Sequence, residues 1–327
     1  MPRLACARCR ARRSGSGSWS VAVAPACEHA GISAIETSGL SKDYGSGRGL
    51  FDLDLEVRAG EVFGFLGPNG AGKSTTLRLL LDLIRPTAGM ARVLGLDTQR
   101  QSLEIRRRVG YLPGDWALYP KLTGRAVLGY LAELRGGVDH ALRDSLVERF
   151  GADVDRPLRE LSTGNRQKLG LVQAFMHEPD VLILDEPIAG LDPLVQKSFH
   201  TLLGEVRGRG RTVLLSSHTL SEVERVTDRL AILRRGRLVV VDSVENLRRV
   251  AVQRLELEFA APVAAEEFRR LPNVTEATAD NRTVTVSFTG SADEVVKAAA
   301  RHEVLAVRPR QDELEDIFLR YYRDDPA

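Results

Sequence analysis

Gly67-Pro68-Asn69-Gly70-Ala71-Gly72-Lys73-Ser74-Thr75 follows a short apolar run, Glu61 to Leu66, and opens a helical pattern, Lys73 to Ile84, that stops at Pro86. Strand, glycine-rich loop and helix in that order form a context in which closely spaced backbone N–H groups can wrap phosphate oxygens. Lys73 adds a positive charge for the β- and γ-phosphates, Ser74 a hydroxyl for Mg²⁺, and the helix N-terminus favours the anion further. A chance glycine turn before a helix is the competing reading.

Two further stretches bear on the same ligand. Val181-Leu182-Ile183-Leu184 is uniformly apolar, as expected of a strand buried on both faces, and it ends in Asp185-Glu186-Pro187. Two buried carboxylates side by side repel unless cations accompany them. Asp185 is expected to engage Mg²⁺ through water, leaving Glu186 to orient and polarise the attacking water. An acidic turn after a core strand is the plainer alternative. His218, in Ser216-Ser217-His218, follows another apolar strand and is placed either to reach the γ-phosphate or to make a strand-end hydrogen bond. Leu161-Ser162-Thr163-Gly164-Asn165 reads as a helix start capped by Ser162. Such a start is an anion site, yet the phosphate loop already has its own helix. The economical reading is that Ser162 and Gly164 cover a nucleotide held by another subunit.

The chain of 327 residues is long enough for two or three domains, and no stretch approaches the roughly 18 apolar residues that span a bilayer. Five of its arginines (Arg3, Arg8, Arg10, Arg12, Arg13) precede residue 34, where Glu28 is the single acid, so the rest is slightly acidic despite the net charge of +2. No nucleic-acid partner is expected on this ground. Cys6, Cys9 and Cys27 are the three cysteines, and the folded body lacks thiols, which suits a reducing cytoplasm. Cys6, Cys9, Cys27 and His29 could ligate zinc, but the Ser/Gly/Arg linker gives nothing to orient them, and an Arg-rich targeting peptide is disfavoured by the short apolar run Val21 to Ala26. Residues 1–33 are read as a disordered leader.

The pattern from 34 to 245 predicts a mainly parallel α/β core with a helical insertion over about 100–178. Candidate helices there cover Thr123 to Arg135, His140 to Phe150 and Thr163 to His177. Residues 251–322 read as strand, helix, strand, strand, helix, strand, the split βαβ order of a ferredoxin-like α+β unit, closed by an amphipathic helix, Asp312 to Tyr322.

With these motifs in this order, the sequence resembles the ATP-binding-cassette (ABC) ATPases over roughly residues 34 to 245: Walker A at 67–75, signature at 161–165 and Walker B at 181–186. The resemblance extends to Tyr44 as the aromatic that stacks on adenine, Asp192 as the D-loop aspartate and His218 as the switch histidine. It implies ATP and Mg²⁺ as ligands and a head-to-tail homodimer that drives an integral-membrane permease from the cytoplasmic face of the cell membrane. With its carboxyl extension the chain looks most like the ATPase subunits of the drug-resistance class of bacterial exporters. Two departures stand out. Gly114 occupies the position where the family usually has a glutamine, with Asp115 as a substitute polar group, and Thr163 and Asn165 stand where Gly and Gln are commoner. Gly114 to Tyr119, including Trp116, matches the segment that faces the permease, although its aromatics could equally pack inward. Two rival functions stay open at this level: a soluble ATPase switch acting on ribosomes or nucleic acid, and a regulatory subunit that binds ATP but hydrolyses it poorly.

Overall fold

The computed structural model describes residues 33–114, 119–250 and 252–310. The leader, Asp115, Trp116 and the amphipathic stripe after Asp312 lie outside the described residues.

The central sheet has six strands in the order β10-β9-β3-β8-β7-β6: β3 (Val62–Leu66), β6 (Val109–Leu112), β7 (Val181–Asp185), β8 (Thr212–Ser217), β9 (Arg229–Arg234) and β10 (Arg237–Ser243). All neighbours pair in parallel except the β9–β10 hairpin. Alternate residues of each strand enter two different cores. Leu66, Leu182, Leu184, Val213 and Leu215 pack with the helices, whereas Phe63, Phe65, Val181, Ile183 and Leu214 face the other way. That is why the strand before Asp185 carries no polar residue: both of its faces are covered.

On the second face lie α1 (Lys73–Leu80) and an antiparallel sheet ordered β2-β1-β4-β5, from β1 (Ser33–Asp43), β2 (Gly49–Arg58), β4 (Ala88–Val93) and β5 (Leu96–Asp97). The first face carries α3 (Gly124–Leu134), α4 (His140–Phe150), α5 (Thr163–Phe175) and α6 (Pro193–Gly208). Their starts are written in the sequence. Thr123 Oγ1 accepts from Ala126 N at 3.2 Å, an Asp139 carboxylate oxygen from Ala141 N at 2.8 Å, and Ser162 Oγ from Asn165 N at 3.1 Å, each satisfying an orphan helix N–H.

The region expected to be a helical insertion opens with α2 (Ser102–Arg108) and also holds the edge strand β6, which pairs with β7 from Val109↔Val181 to Leu112↔Leu184. Four residues are too few to display a period, so only the pairing makes them a strand. Helix α1 ends at Leu80, four residues before the expected Ile84, because Asp82 turns left-handed at φ 54° and Leu83 N bonds back to Arg78 O at 2.9 Å.

After α7 (Leu220–Glu224) and α8 (Val244–Val250), the chain forms β11 (Val252–Phe259), α9 (Ala265–Arg269), β12 (Val274–Asp280), β13 (Thr283–Thr289), α10 (Asp293–Ala299) and β14 (Val304–Arg310). The antiparallel order β12-β13-β11-β14 places the third strand of this unit between its first two, as split βαβ topology requires. Leu257, Phe259, Phe268, Val284, Val286 and Phe288 give it a separate core.

Candidate functional site

The register of the central sheet assembles the site. Strand β8 lies between β3 and β7, with Ser217 opposite Leu66 and Ser216 opposite Asp185. The glycine-rich loop, His218 and the Asp185-Glu186 pair therefore emerge side by side at the carboxyl ends of three adjacent parallel strands, where α/β folds bind ligands.

The loop carries Asn69 and Gly70 exposed at its tip, while Ala71, Gly72 and Lys73 are buried at its base and Ser74 and Thr75 are half-buried. Gly72, which caps α1, takes φ 107°, a conformation that a side chain would strain. No side chain caps this helix, so its first N–H groups stay available to an anion. Lys73 Nζ donates to the carbonyl of Gly67 at 2.5 Å and to that of Pro68 at 3.3 Å, and it lies 3.3 Å from Glu186 Oε1. The ammonium is thereby held inside the curve of the loop, its hydrogens directed at the loop carbonyls and Glu186.

Both carboxylates were expected to be buried; they are treated differently. Asp185 is 2% exposed, and its Oδ1 accepts from Ser216 Oγ at 2.6 Å. At Glu186 the backbone swings to φ 49°, out of the strand, which leaves its side chain 21% exposed. Its Oε1 faces Lys73, while Oε2 lies 2.9 Å from His218 Nδ1. A carboxylate only accepts, so Nδ1 carries the hydrogen. Lys73, Glu186 and His218 form one chain of contacts, which joins three motifs far apart in sequence.

Position 114 sits against this centre: a Cβ built on Gly114 would be 3.2 Å from Asp185 Oδ2. Nearby, the Tyr111 hydroxyl is pushed up from its ordinary pKa by burial and by the charge of Asp185. The hard oxygens of Asp185 and Ser74 are the donor type that Mg²⁺ takes, and the buried Asp185 carboxylate beside a side-chain-free residue fits such an ion.

Ser162 caps α5 as expected, and Asn165 is tied to the main chain at Asp153, accepting from its N–H at 2.8 Å and donating to its carbonyl at 2.9 Å. The start of α5 packs on the segment after Glu186. Gly164 lies against the Gly190 carbonyl, and Lys168 Nζ is 3.5 Å from Asp192, which itself caps α6 through Val195 N at 3.0 Å. The backbone bond from Val195 and the charge of Lys168 help hold the Asp192 carboxyl below its usual pKa. Tyr44 is half-exposed, with Lys42 Nζ 5.6 Å from the centre of its ring.

Sequence reasoning missed two polar residues that organise this centre. Ser216 bridges the pair, donating to Asp185 and accepting from Glu186 N at 3.0 Å. Gln167, one turn into α5, donates to the carbonyls of Glu186 at 3.0 Å and Pro187 at 3.1 Å. A polar residue on the core side of an amphipathic helix was the available signal for Gln167.

Residues 50–189 match the family profile described as "ABC transporter". The bacitracin transport ATP-binding protein BcrA of Enterococcus faecalis is 33% identical over 291 residues, covering 87% of this chain and 94% of that protein. The chain belongs to the ABC transporter ATP-binding proteins. It is an ABC-type ATPase subunit, and its ligand is a nucleotide. The daunorubicin resistance ATP-binding protein DrrA3 of Streptomyces coeruleorubidus is similar at 36% identity over 306 residues, covering 89% of this chain and 96% of its own. Among solved structures, an "ATP binding subunit of ABC transporter" superposes with a TM-score of 0.60 at 31% identity, over 66% of this chain and 92% of the other. Among the described residues no helix is long and apolar enough to cross a membrane, so this ABC subunit's described part contains no helical span.

Proposed function

We propose that this subunit binds ATP with Mg²⁺ and, as a head-to-tail homodimer, uses its hydrolysis to drive export of a drug-like compound through a separate membrane permease. The observation that carries the reading is the Glu186 carboxylate held between Lys73 and His218 beside the buried Asp185. In this reading Gly67 to Thr75 cradle the phosphates, Tyr44 stacks on the adenine, and Glu186 takes the proton of the attacking water while His218 orients it. Ser74 and, through water, Asp185 would hold the Mg²⁺, which neutralises charge developing on the phosphate oxygens. Ser162, Gly164 and Asp192 serve the opposing chain's nucleotide; α5 is capped by Ser162 and leans on Gly190 and Asp192.

Residues 34–245 act as the nucleotide-binding unit and 251–322 as an accessory unit. The segment from Gly114 to Tyr119 meets the permease, which would hold the subunit at the inner face of the cell membrane. Half-exposed Tyr119 and Tyr130, edge to face at 5.8 Å, supply apolar surface there. The printed names of the relatives, bacitracin transport and daunorubicin resistance, support a toxic natural product as cargo. Glu186→Gln tests the assignment: ATP affinity is retained, turnover falls by about a thousandfold or more, and an ATP-bound dimer accumulates on size exclusion. Unchanged hydrolysis would remove Glu186 from the role of base.

A further inference from the structure

We propose that Gln167 is a positioning residue for hydrolysis, fixing the main chain at Glu186 from inside the helix whose start serves the opposing nucleotide. The inference rests on the dimeric reading above only for that last clause. The contact between Gln167 and Glu186 lies within one chain.

Glu186 is a non-glycine residue at φ 49°, a conformation that persists when its surroundings hold it. Three contacts do so. Its N–H donates to Ser216 Oγ at 3.0 Å, from the end of β8. Its carbonyl accepts from Ala189 N at 3.2 Å, closing a turn, and from Gln167 Nε2 at 3.0 Å. The same amide donates to the Pro187 carbonyl at 3.1 Å, so one buried side chain, 8% exposed, pins two successive peptide groups. These bonds fix the direction in which the Glu186 side chain leaves the backbone, and with it the reach of the carboxylate to Lys73 and His218.

Gln167 sits five residues past Ser162 on the same helix, and Gly164 and Lys168 bind that helix to Gly190 and Asp192. The start of α5 and the stretch from Glu186 to Asp192 consequently form one block. Displacement of the helix start by a nucleotide on the opposing chain is transmitted to this chain's own Glu186 through a buried amide. The substrate is the same Mg·ATP; what the inference adds is the residue that sets its hydrolysis step.

The test uses the full chain carrying Gln167→Met, which keeps shape and removes the donor, and Gln167→Glu, which places acceptors against the two carbonyls. Both are expected to lower kcat by about ten- to a hundredfold, the scale of a displaced catalytic group, while ATP affinity and melting cooperativity stay at wild-type values. In a double-mutant cycle with Ser216→Ala the losses in kcat are less than multiplicative, because both residues hold the same peptide. The double variant Gln167→Met with Glu186→Gln still accumulates the ATP-bound dimer to the extent of Glu186→Gln alone. Wild-type kcat in both variants, a parallel loss of ATP affinity, or loss of the trapped dimer would each overturn the proposal. Should one variant not fold, the other carries the same comparison. If Glu186→Gln alone forms no dimer, the dimeric reading fails by itself, while the kcat losses and the Ser216 cycle still decide the role of Gln167.

Discussion

Replacing Gly164 with alanine puts a methyl group 2.6 Å from the carbonyl oxygen of Gly190. Carbon and oxygen settle at about 3.4 Å or more, so the start of α5 and the turn at Gly190 must separate by roughly 0.8 Å. Neither partner is a flexible side-chain end. Gly164 lies in the first turn of a capped helix, and Gly190 is held at φ 73° between Glu186 and Asp192. Overpacking of this kind costs about 1–3 kcal/mol, which in a domain of this size lowers Tm by several degrees. The functional effect is larger, because a shift near 1 Å in a positioning element costs about a hundredfold in rate. The expected result for Gly164→Ala is an ATP affinity of the single chain close to wild type, since Lys73 and its loop lie outside the strained contact, with kcat of the dimer lowered by about a hundredfold. Steady-state ATP turnover, equilibrium nucleotide binding and thermal melting on the same preparation check it. Wild-type turnover together with an unchanged Tm would refute the reasoning, because it would mean the contact relaxes without cost.

Two further outcomes follow from particular contacts. Lys73→Ala should weaken ATP binding by about tenfold or more in a titration with a fluorescent nucleotide; retained affinity would contradict the placement of the ammonium inside the loop. His177 is held to a pKa of about 4, first by burial and then by the charge of Arg135. The unfolded chain protonates near 6.5, so unfolding takes up a proton between these values and stability declines as pH falls from 6.5 towards 4. The loss approaches roughly 2–3 kcal/mol in denaturant melts, and His177→Gln should flatten that part of the profile; an unaltered slope would place the titration elsewhere.

The sheet that carries the phosphate loop was legible because doubly buried strands are continuous apolar runs and because capping residues mark helix starts. Ser162 marks the start of α5, and the helical patterns from Thr123 and His140 begin within a residue of α3 and α4. Strand β6 was not legible, since Val109 to Leu112 acquires its identity only from pairing with β7. The turn of Glu186 out of β7 was hidden for a related reason: a positive φ in a non-glycine residue is imposed by neighbours such as Ser216 and Gln167, which are remote in sequence.

What the sequence determined by itself was a set of local patterns: a glycine loop with Lys73, an acidic pair at a strand end, and a helix start capped by Ser162. Local backbone geometry suffices to express them. Tertiary structure alone decided how they meet. Strand order put β8 between β3 and β7, which brought His218 and Lys73 to opposite oxygens of one carboxylate. The same packing set the start of α5 against Gly190 and joined it to Glu186 through Gln167. Such contacts depend on the packing of elements far apart in the chain, which no spacing along it records.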